Sequence, residues 1–500
     1  MKQVWSILAF LVACCLLLTG CATTSEPTKT TIGTVATTPT TTTTTSITDV
    51  VDTTTVNVGT TTSTVRQTTA TTTGTTAVVT TTATTTITSA TTTTTAATAT
   101  TTSATTTTAA AATTTVATTT TTTITTTTTT PTVKPSSGEF RGAWVSYIEL
   151  SDMFIKCGTP QQGKVAIDDL MDRLANAGMN AVFFHVRANS DAYYNSSIFK
   201  AAAVVEKLLD AGFDPLAYAV EAAHRRGLQL HAWLNPYRVG KDAAYIAKNM
   251  ATFQDGNGRH YYIPTSAAAQ RLILDGVREL LDTYAIDGIQ YDDYFYPADL
   301  LGEETVYSFE SADYAAYTAA GGSLSVGDWR RAGVDALIAG THTLTKAKGK
   351  VFGVSPGHNA QRNHDSMFAN TQKWLAQEGY VDYLCPQIYF GFQHSTASFD
   401  TVTDMWLGYE RHPSVKLYVG LGIYKIGLKS DPHAGNGKTE WRDNSDILKR
   451  SVLYLRQAGI DGMGFYSSSF FDPAYAVGIF KTDHDLAVAE NEINNLLPIL

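Results

Sequence analysis

The chain has 500 residues and a formal net charge of -9, which argues against a nucleic-acid partner, because that partner needs a basic face. Its 5 cysteines include Cys14 and Cys15 in an N-terminal apolar run and Cys21 just after it, so only Cys157 and Cys385 remain for the body of the chain. That excludes a disulfide scaffold, and no CxxC spacing offers a metal site.

Lys2 precedes an apolar run from Ile7 to Leu18, too short to span a bilayer and typical of a secretory signal over residues 1–20. The run ends in Leu18-Thr19-Gly20-Cys21, which resembles the bacterial lipobox. Cleavage before Cys21 and lipidation of its thiol are the expectation, with an ordinary signal peptide as the alternative. Residues 21–137 then read as a linker of threonine with alanine and valine. It has no apolar face with which to offset its ordering entropy. Such a Ser/Thr-rich tract is a solvated spacer suited to O-glycosylation, and a coil of about 110 residues has an r.m.s. reach of about 60 Å.

From Gly138 to Leu500 short apolar runs alternate with helical patterns. The runs are FRGAWVSY, NAVFFHVR, LQLHAWLNP, GIQYDDYF, VFGVSP, YLCPQIYF, KLYVGLGIY and GMGFYSSSFF, starting at Phe140, Asn180, Leu228, Gly288, Val351, Tyr383, Lys416 and Gly462. Helical stretches such as PLAYAVEAAHRRG and DILKRSVLYLRQAG lie between them, several closing on a glycine cap. Strand and helix alternating in this way predict an α/β fold, a (β/α)8 TIM barrel over residues 138–500, with a doubly wound open sheet as the alternative.

A barrel of this kind places its chemistry at the C-terminal strand ends, and strand alternation selects the inward side chains. Phe183, His185 and Arg187 share a face in the second strand, as do His231, Trp233 and Asn235 in the third and Cys385, Gln387 and Tyr389 in the sixth. In the fourth, Gln290, Asp292 and Tyr294 share one face while Ile289, Tyr291 and Asp293 share the other. Asp292 is therefore the inward catalytic candidate, and Asp293 is expected to orient a neighbouring loop or side chain unless the strand breaks there. The aromatics after it would line a mouth where rings stack on sugar faces. Glycoside chemistry needs two carboxyl groups. Asp191, Glu149, Glu303 and Glu304 are all placed to supply the second.

The ordered motifs RGAWV, HVRANSDAYY, HAWLNPYR, DGIQYDDYFYP, DWRR, VFGVSP with a following Arg362-Asn363, DYLCPQIYF and YVGLGIYK resemble the glycosyl hydrolase-like 10 family, over Gly138 to about Phe480. Members of that family are often lipoproteins, and a well-known one is a divisome-associated enzyme that cleaves peptidoglycan glycan strands stripped of stem peptides. The resemblance implies a (β/α)8 glycosidase acting on cell-wall or related glycans. It carries over Asp191, His231, Asn235, Arg238, Asp292, Asp293, Arg330, Gln387 and Tyr389 as site residues. His185, Arg187, Trp233, Tyr294, His358 and Asn359 complete the expected substrate-binding set.

Two departures qualify that resemblance. His358 in SPGHNAQRN stands where relatives carry a bulkier residue, which affects the shape of one subsite. DGIQYDD is also similar to the chitinase signature DGxDxDxE, but Tyr294 occupies the position of its catalytic glutamate. Two other functions compete. One is a metal-dependent barrel hydrolase or deacetylase using His185, His231, His358 and Asp292, although no HxH or HExxH spacing supports it. The other is a glycan-binding lipoprotein without catalysis. The glycosidase reading calls for no cofactor, and nothing in the sequence indicates an oligomeric state.

Overall fold

The computed structural model describes residues 138–298 and 300–500. The expected signal segment 1–20, Cys21 and the Thr-rich linker 21–137 lie outside the described residues. The strands are β1 (Phe140–Val145), β2 (Ala181–Arg187), β3 (Gln229–Leu234), β4 (Arg238–Gly240), β5 (Thr252–Gln254), β6 (His260–Tyr262), β7 (Gly288–Tyr291), β8 (Val351–Val354), β9 (Tyr383–Leu384), β10 (Lys416–Leu421) and β11 (Gly462–Tyr466). Eight of them close into a barrel in the order β1-β11-β10-β9-β8-β7-β3-β2, all paired in parallel. Pairing of β1 with β11 closes the ring, so the fold is the (β/α)8 barrel and the open doubly wound sheet is ruled out.

Local sequence sets the helices between the strands. Helix Tyr147–Phe154 starts with a capping box in which Ser146 and Glu149 satisfy each other's backbone N–H groups. Helices Pro160–Asn176 and Pro215–Arg225 pair a Thr159 or Asp214 cap with proline in the first turn. Gly227 ends the second of them in the left-handed region at φ 72°. Leu230, Ala232, Ile289, Tyr291, Phe352 and Val354 on the outer strand faces are buried within the main core, which helices such as Ala267–Thr283 and Val326–Ala347 share.

The barrel interior is a plug of rings. Phe140, Trp144, Ala181, Phe183, Trp233, Tyr383 and Cys385 form one buried cluster. Phe140 stacks on Tyr418 at 4.5 Å and Trp144 on Phe183 at 4.6 Å. Glycines on facing strands leave the room: a Cβ on Gly353 would sit 2.0 Å from the Tyr383 ring, and one on Gly464 2.5 Å from Trp144. Interior packing of this density has no space for substrate, so any ligand must bind above the plug.

Strands β4, β5 and β6 form a separate antiparallel sheet in the order β4-β6-β5, inserted between β3 and β7. The sequence pattern predicts no strands here. Runs of three residues are too short for a period-two pattern to register.

Candidate active site

At the C-terminal end of the barrel, a cavity of about 460 Å³ is walled by the loops after β7, β8, β9 and β10 and by the β4–β6 sheet. Asp293, Tyr294 and Tyr296 line it after β7, His358, Asn359 and Arg362 after β8, and Gln387, Tyr389 and Phe390 after β9. Tyr424, Lys425 and Asp431 close the side after β10, and Arg259 and Tyr261 form the wall from the small sheet. Tyr389 and Tyr466 stack at 5.8 Å, with Tyr424 edge-on to both.

Asp293 lines the cavity, and Asp292 lies buried beside it. Asp292 is 8% exposed, and its Oδ1 accepts from the Asp293 backbone N–H at 2.9 Å and from Gln387 Nε2 at 3.0 Å. Gln387 Nε2 also donates to the Ser355 carbonyl, which fixes the amide's orientation. The two carboxyl side chains hydrogen-bond to each other. Burial raises both above the ordinary carboxylate range, and the charge of Asp292 lifts Asp293 further, well above it. Hydrogen bonds from Asp293 and Gln387 and the Arg238 guanidinium pull Asp292 back down. Asp293, raised further than its neighbour, is thus the better placed of the two to hold a proton.

This arrangement corrects the expected outward placement of Asp293. That expectation assumed a strand running on past the aspartates, but β7 ends at Tyr291. The backbone turns at Asp292, whose side chain caps the next N–H, and Asp293 comes round to line the cavity.

Arg238, at the start of β4, carries its guanidinium 4.8 Å over the Tyr294 ring and acts electrostatically on Asp292, Asp293, Asp191 and His185. His185 stacks on Trp233 at 3.6 Å and its Nδ1 accepts from the Tyr147 N–H. Burial, followed by Arg238 and Arg187, pushes it well below the ordinary imidazole value, so it is neutral. Asn235 donates to the Ala188 carbonyl. His185 Nε2, Trp233 Nε1 and Asn235 Oδ1 are buried without a hydrogen-bond partner among the described residues. Asp191 is buried, accepts from the Asn189 N–H, and is raised by that burial.

Other expected site residues are placed elsewhere. The pairing register shifts between His185 and Arg187, which turns Arg187 out of the barrel. It lies 4.7 Å over Phe199 and donates to the Pro236 carbonyl. His231 sits inside the plug, 5.6 Å from Phe140 and from Phe183, with Nδ1 3.1 Å from the Tyr383 hydroxyl. Burial lowers it to about 4, and packing leaves it no access to substrate. His358 borders the cavity edge-on to Phe390 at 4.7 Å, lowered to about 4 by burial and then by Arg362. His185, His231 and His358 thus occupy three separate environments instead of converging on Asp292.

The spare acids are also committed. Glu149 accepts from the Ser146 N–H, the Ser468 and Ser469 hydroxyls and the Ser469 N–H. Glu303 pairs with Arg331, and Glu304 is exposed to solvent. Arg330 forms a fully buried ion pair with Glu310, so its place is beneath the loop after β7 and not in the cavity.

A family model described as glycosyl hydrolase-like 10 matches residues 139–435. The chain belongs to the glycosyl hydrolase-like 10 family. It is 31% identical over 361 residues to glycosyl hydrolase YngK of Bacillus subtilis, covering 66% of this chain and 68% of that protein. It is 30% identical over 348 residues to glycosyl hydrolase DigH of Escherichia coli K12, covering 60% of this chain and 76% of that one. The solved glycoside hydrolase domain of PgaB (BpsB) from Bordetella bronchiseptica superposes with a TM-score of 0.45 at 14% identity, covering 68% of this chain and 98% of that domain. This member of the glycosyl hydrolase-like 10 family is a glycosidase.

Several cavity residues had no signal in the sequence. Tyr466, which backs the cavity tyrosines Tyr389 and Tyr424, ends β11, but the run GMGFYSSSFF shows no polar-facing pattern to mark it. Lys425, at the end of the short 3-10 turn Ile423–Lys425, pairs at 2.6 Å with Asp431 in the loop beyond it, where strand alternation assigns no face. Arg259 and Tyr261 come from the small sheet, whose three-residue strands carry no period-two pattern.

Proposed function

We propose that this glycosidase cleaves peptidoglycan-type glycan strands while lipid-anchored through Cys21 to the outer face of a bacterial membrane. Asp293 donates the proton to the departing sugar oxygen, and Asp292 is the carboxylate set against the cationic sugar ring. The observation that carries this reading is the hydrogen-bonded Asp292–Asp293 pair under an aromatic-walled cavity. One group there is neutral and able to donate, and the other is charged and able to stabilise an oxocarbenium-like transition state. Arg238, Tyr294, His358, Asn359, Gln387 and Tyr389 then bind and orient the glycan, while Trp233 and Asn235, buried beneath the cavity, support its floor. Asp191 tunes the charge around Arg238.

Support for a wall glycan comes from the ordered family motifs and from the signal and spacer that precede them. The direct test is incubation with denuded and with intact peptidoglycan, followed by mass analysis of the soluble products. Released disaccharide-repeat fragments are expected from the denuded strands. Unchanged masses from both would refute the wall-glycan assignment.

Two predictions concern the N-terminal region. Cells expressing the full chain should incorporate an alkyne fatty acid at Cys21, and Cys21→Ala should lose both the label and sedimentation with membranes. An unlabelled wild-type chain, in cells whose other lipoproteins take up label, would refute the anchor. Residues 138–500 should also fold alone, because a threonine tract has no apolar face to add to the core. Deleting residues 22–132 should leave the melting temperature within error; a clear drop would show that the tract packs on the barrel.

A further inference from the structure

We propose that the nucleophile of the reaction is not a protein side chain but the carbonyl oxygen of a 2-acetamido group on the substrate, so that the sugar at the cleavage position must be an N-acetylated amino sugar. This rests on the glycosidase reading above and narrows it to one class of substrate.

The separation of the carboxyl groups motivates it. A protein nucleophile and its acid stand about 5–5.5 Å apart in retaining glycosidases, and an inverting pair about 6.5–9.5 Å apart to admit a water. Asp292 and Asp293 are consecutive, and their side chains hydrogen-bond to each other. At that contact no anomeric carbon or water fits between them in either geometry. No other described carboxylate stands ready to act. Asp191 is enclosed, and its Oδ1 is taken up by the Asn189 N–H. Asp255 caps its own turn through the Asn257 and Arg259 N–H groups, and Asp431 is bound to Lys425. The protein therefore presents one acid and one fixed charge on the same side of the sugar, and the attacking oxygen has to come with the substrate.

The surroundings suit an acetamido group. Tyr389 and Tyr424 line a corner of the cavity beside Gln387, with the Tyr466 ring packed against both. Such a corner accepts a methyl group and excludes water from a short-lived intermediate. Asp292, held from two sides by Gln387 and the Asp293 N–H, can accept the acetamido N–H and orient the carbonyl oxygen toward the anomeric carbon.

The steps balance as follows. Asp293 gives its proton to the glycosidic oxygen while the acetamido oxygen forms a bond to the anomeric carbon and the glycosidic bond breaks. The leaving strand departs as an alcohol, and the sugar remains as an oxazolinium whose positive charge faces ionised Asp292. Asp293, now a carboxylate, removes a proton from water as that water opens the ring at the anomeric carbon. The acetamido group is restored, Asp293 is neutral again, and two inversions give net retention.

The test uses the full-length protein on matched N-acetylated and chemically de-N-acetylated glucosamine oligomers, with the first-formed anomer read by proton NMR. N-acetylglucosamine-thiazoline, a stable mimic of the cyclic intermediate, serves as inhibitor and as calorimetric ligand. Expected results are retention, thiazoline binding, and turnover of the acetylated oligomer at least about a hundredfold above the other. Asp292→Asn should weaken thiazoline binding by about a hundredfold as the facing charge is lost. Inversion, or equal cleavage of both oligomers, would overturn the proposal while leaving the glycosidase reading intact. No turnover of either oligomer, nor of peptidoglycan strands, would instead remove that reading and the proposal with it.

Discussion

Asp293→Asn is expected to lower turnover on a natural glycan by about a thousandfold, without unfolding the barrel. The magnitude follows from removing a positioned general acid, which contributes on the order of 10²–10⁴. The amide is nearly isosteric, and Asp293 borders the cavity and not the plug of rings. Leaving-group chemistry separates its role from that of its neighbour. A dinitrophenyl glycoside needs no proton to depart, so Asp293→Asn should recover much of its rate on that substrate. Asp292→Asn should lose about a thousandfold on both substrates, because the developing positive charge is the same in each. If Asp293→Asn keeps wild-type rates on natural glycan, the acid lies elsewhere.

The shared proton also fixes the pH dependence. In the proposed mechanism the active pair carries one proton, so kcat/KM should fall at low pH when Asp292 protonates and at high pH when Asp293 ionises, giving a bell with two macroscopic limbs. Both carboxyls are raised, so both limbs should lie above the ordinary carboxyl range of about 3.9. The stability effect has the opposite sense to that of an ordinary surface aspartate. A carboxyl raised in the folded state binds a proton that the unfolded chain releases. Its contribution is present in full below about pH 4 and is lost as pH rises through the raised value. Asp293→Asn cannot ionise and escapes that loss. Its melting temperature should match wild type near pH 4 and exceed it at neutral pH. A variant that melts lower at every pH would mean that Asp293 holds the strand end and is not stored as a buried acid.

The barrel was legible because its signal repeats: eight apolar runs of strand length, each followed by an amphipathic helix, leave few alternatives. The inward faces were legible for the same reason as far as the strands persist. Trp144, Phe183 and Trp233 point to the axis, as alternation requires. It failed at the strand ends, where function sits. Arg187 lies beyond a register shift, and Asp293 lies beyond the last residue of β7. Neither break has a sequence mark, since no glycine or proline stands at either position. His231 failed for a different reason. Alternation gave its direction correctly but not its depth, and at its level the axis is filled by Phe140, Phe183 and Tyr383. Depth depends on which residues the other strands place at the same height, which only the pairing register supplies.

Family resemblance implies Arg330 as a site residue, but its buried position leads to a different expectation. Its side chain is fully enclosed together with that of Glu310. Nε donates to Glu310 at 3.1 Å, Nη1 to the Gly302 carbonyl at 2.8 Å and Nη2 to the Thr305 carbonyl at 2.6 Å. The guanidinium lies 4.9 Å over Phe368, whose ring packs edge-on against Tyr296 of the cavity wall. One residue thus ties helix Val326–Ala347 to the loop that frames the site. Arg330→Met should cost about 3–5 kcal/mol, because it leaves the Glu310 carboxylate buried without its partner. Arg330→Lys should recover only part of that, since a single ammonium cannot reproduce the planar fork that serves three acceptors. Replacing both residues, as Arg330→Met with Glu310→Met, should restore much of the stability, because the uncompensated charge is gone. Urea midpoints of the three variants measure this directly. A positioning role also predicts that the double variant, though refolded, keeps a raised KM, since the two carbonyls that fix the loop have lost their donors. If Arg330→Met instead kept the wild-type midpoint and lost turnover, the side chain would have to reach substrate, and the loop arrangement described above would be wrong.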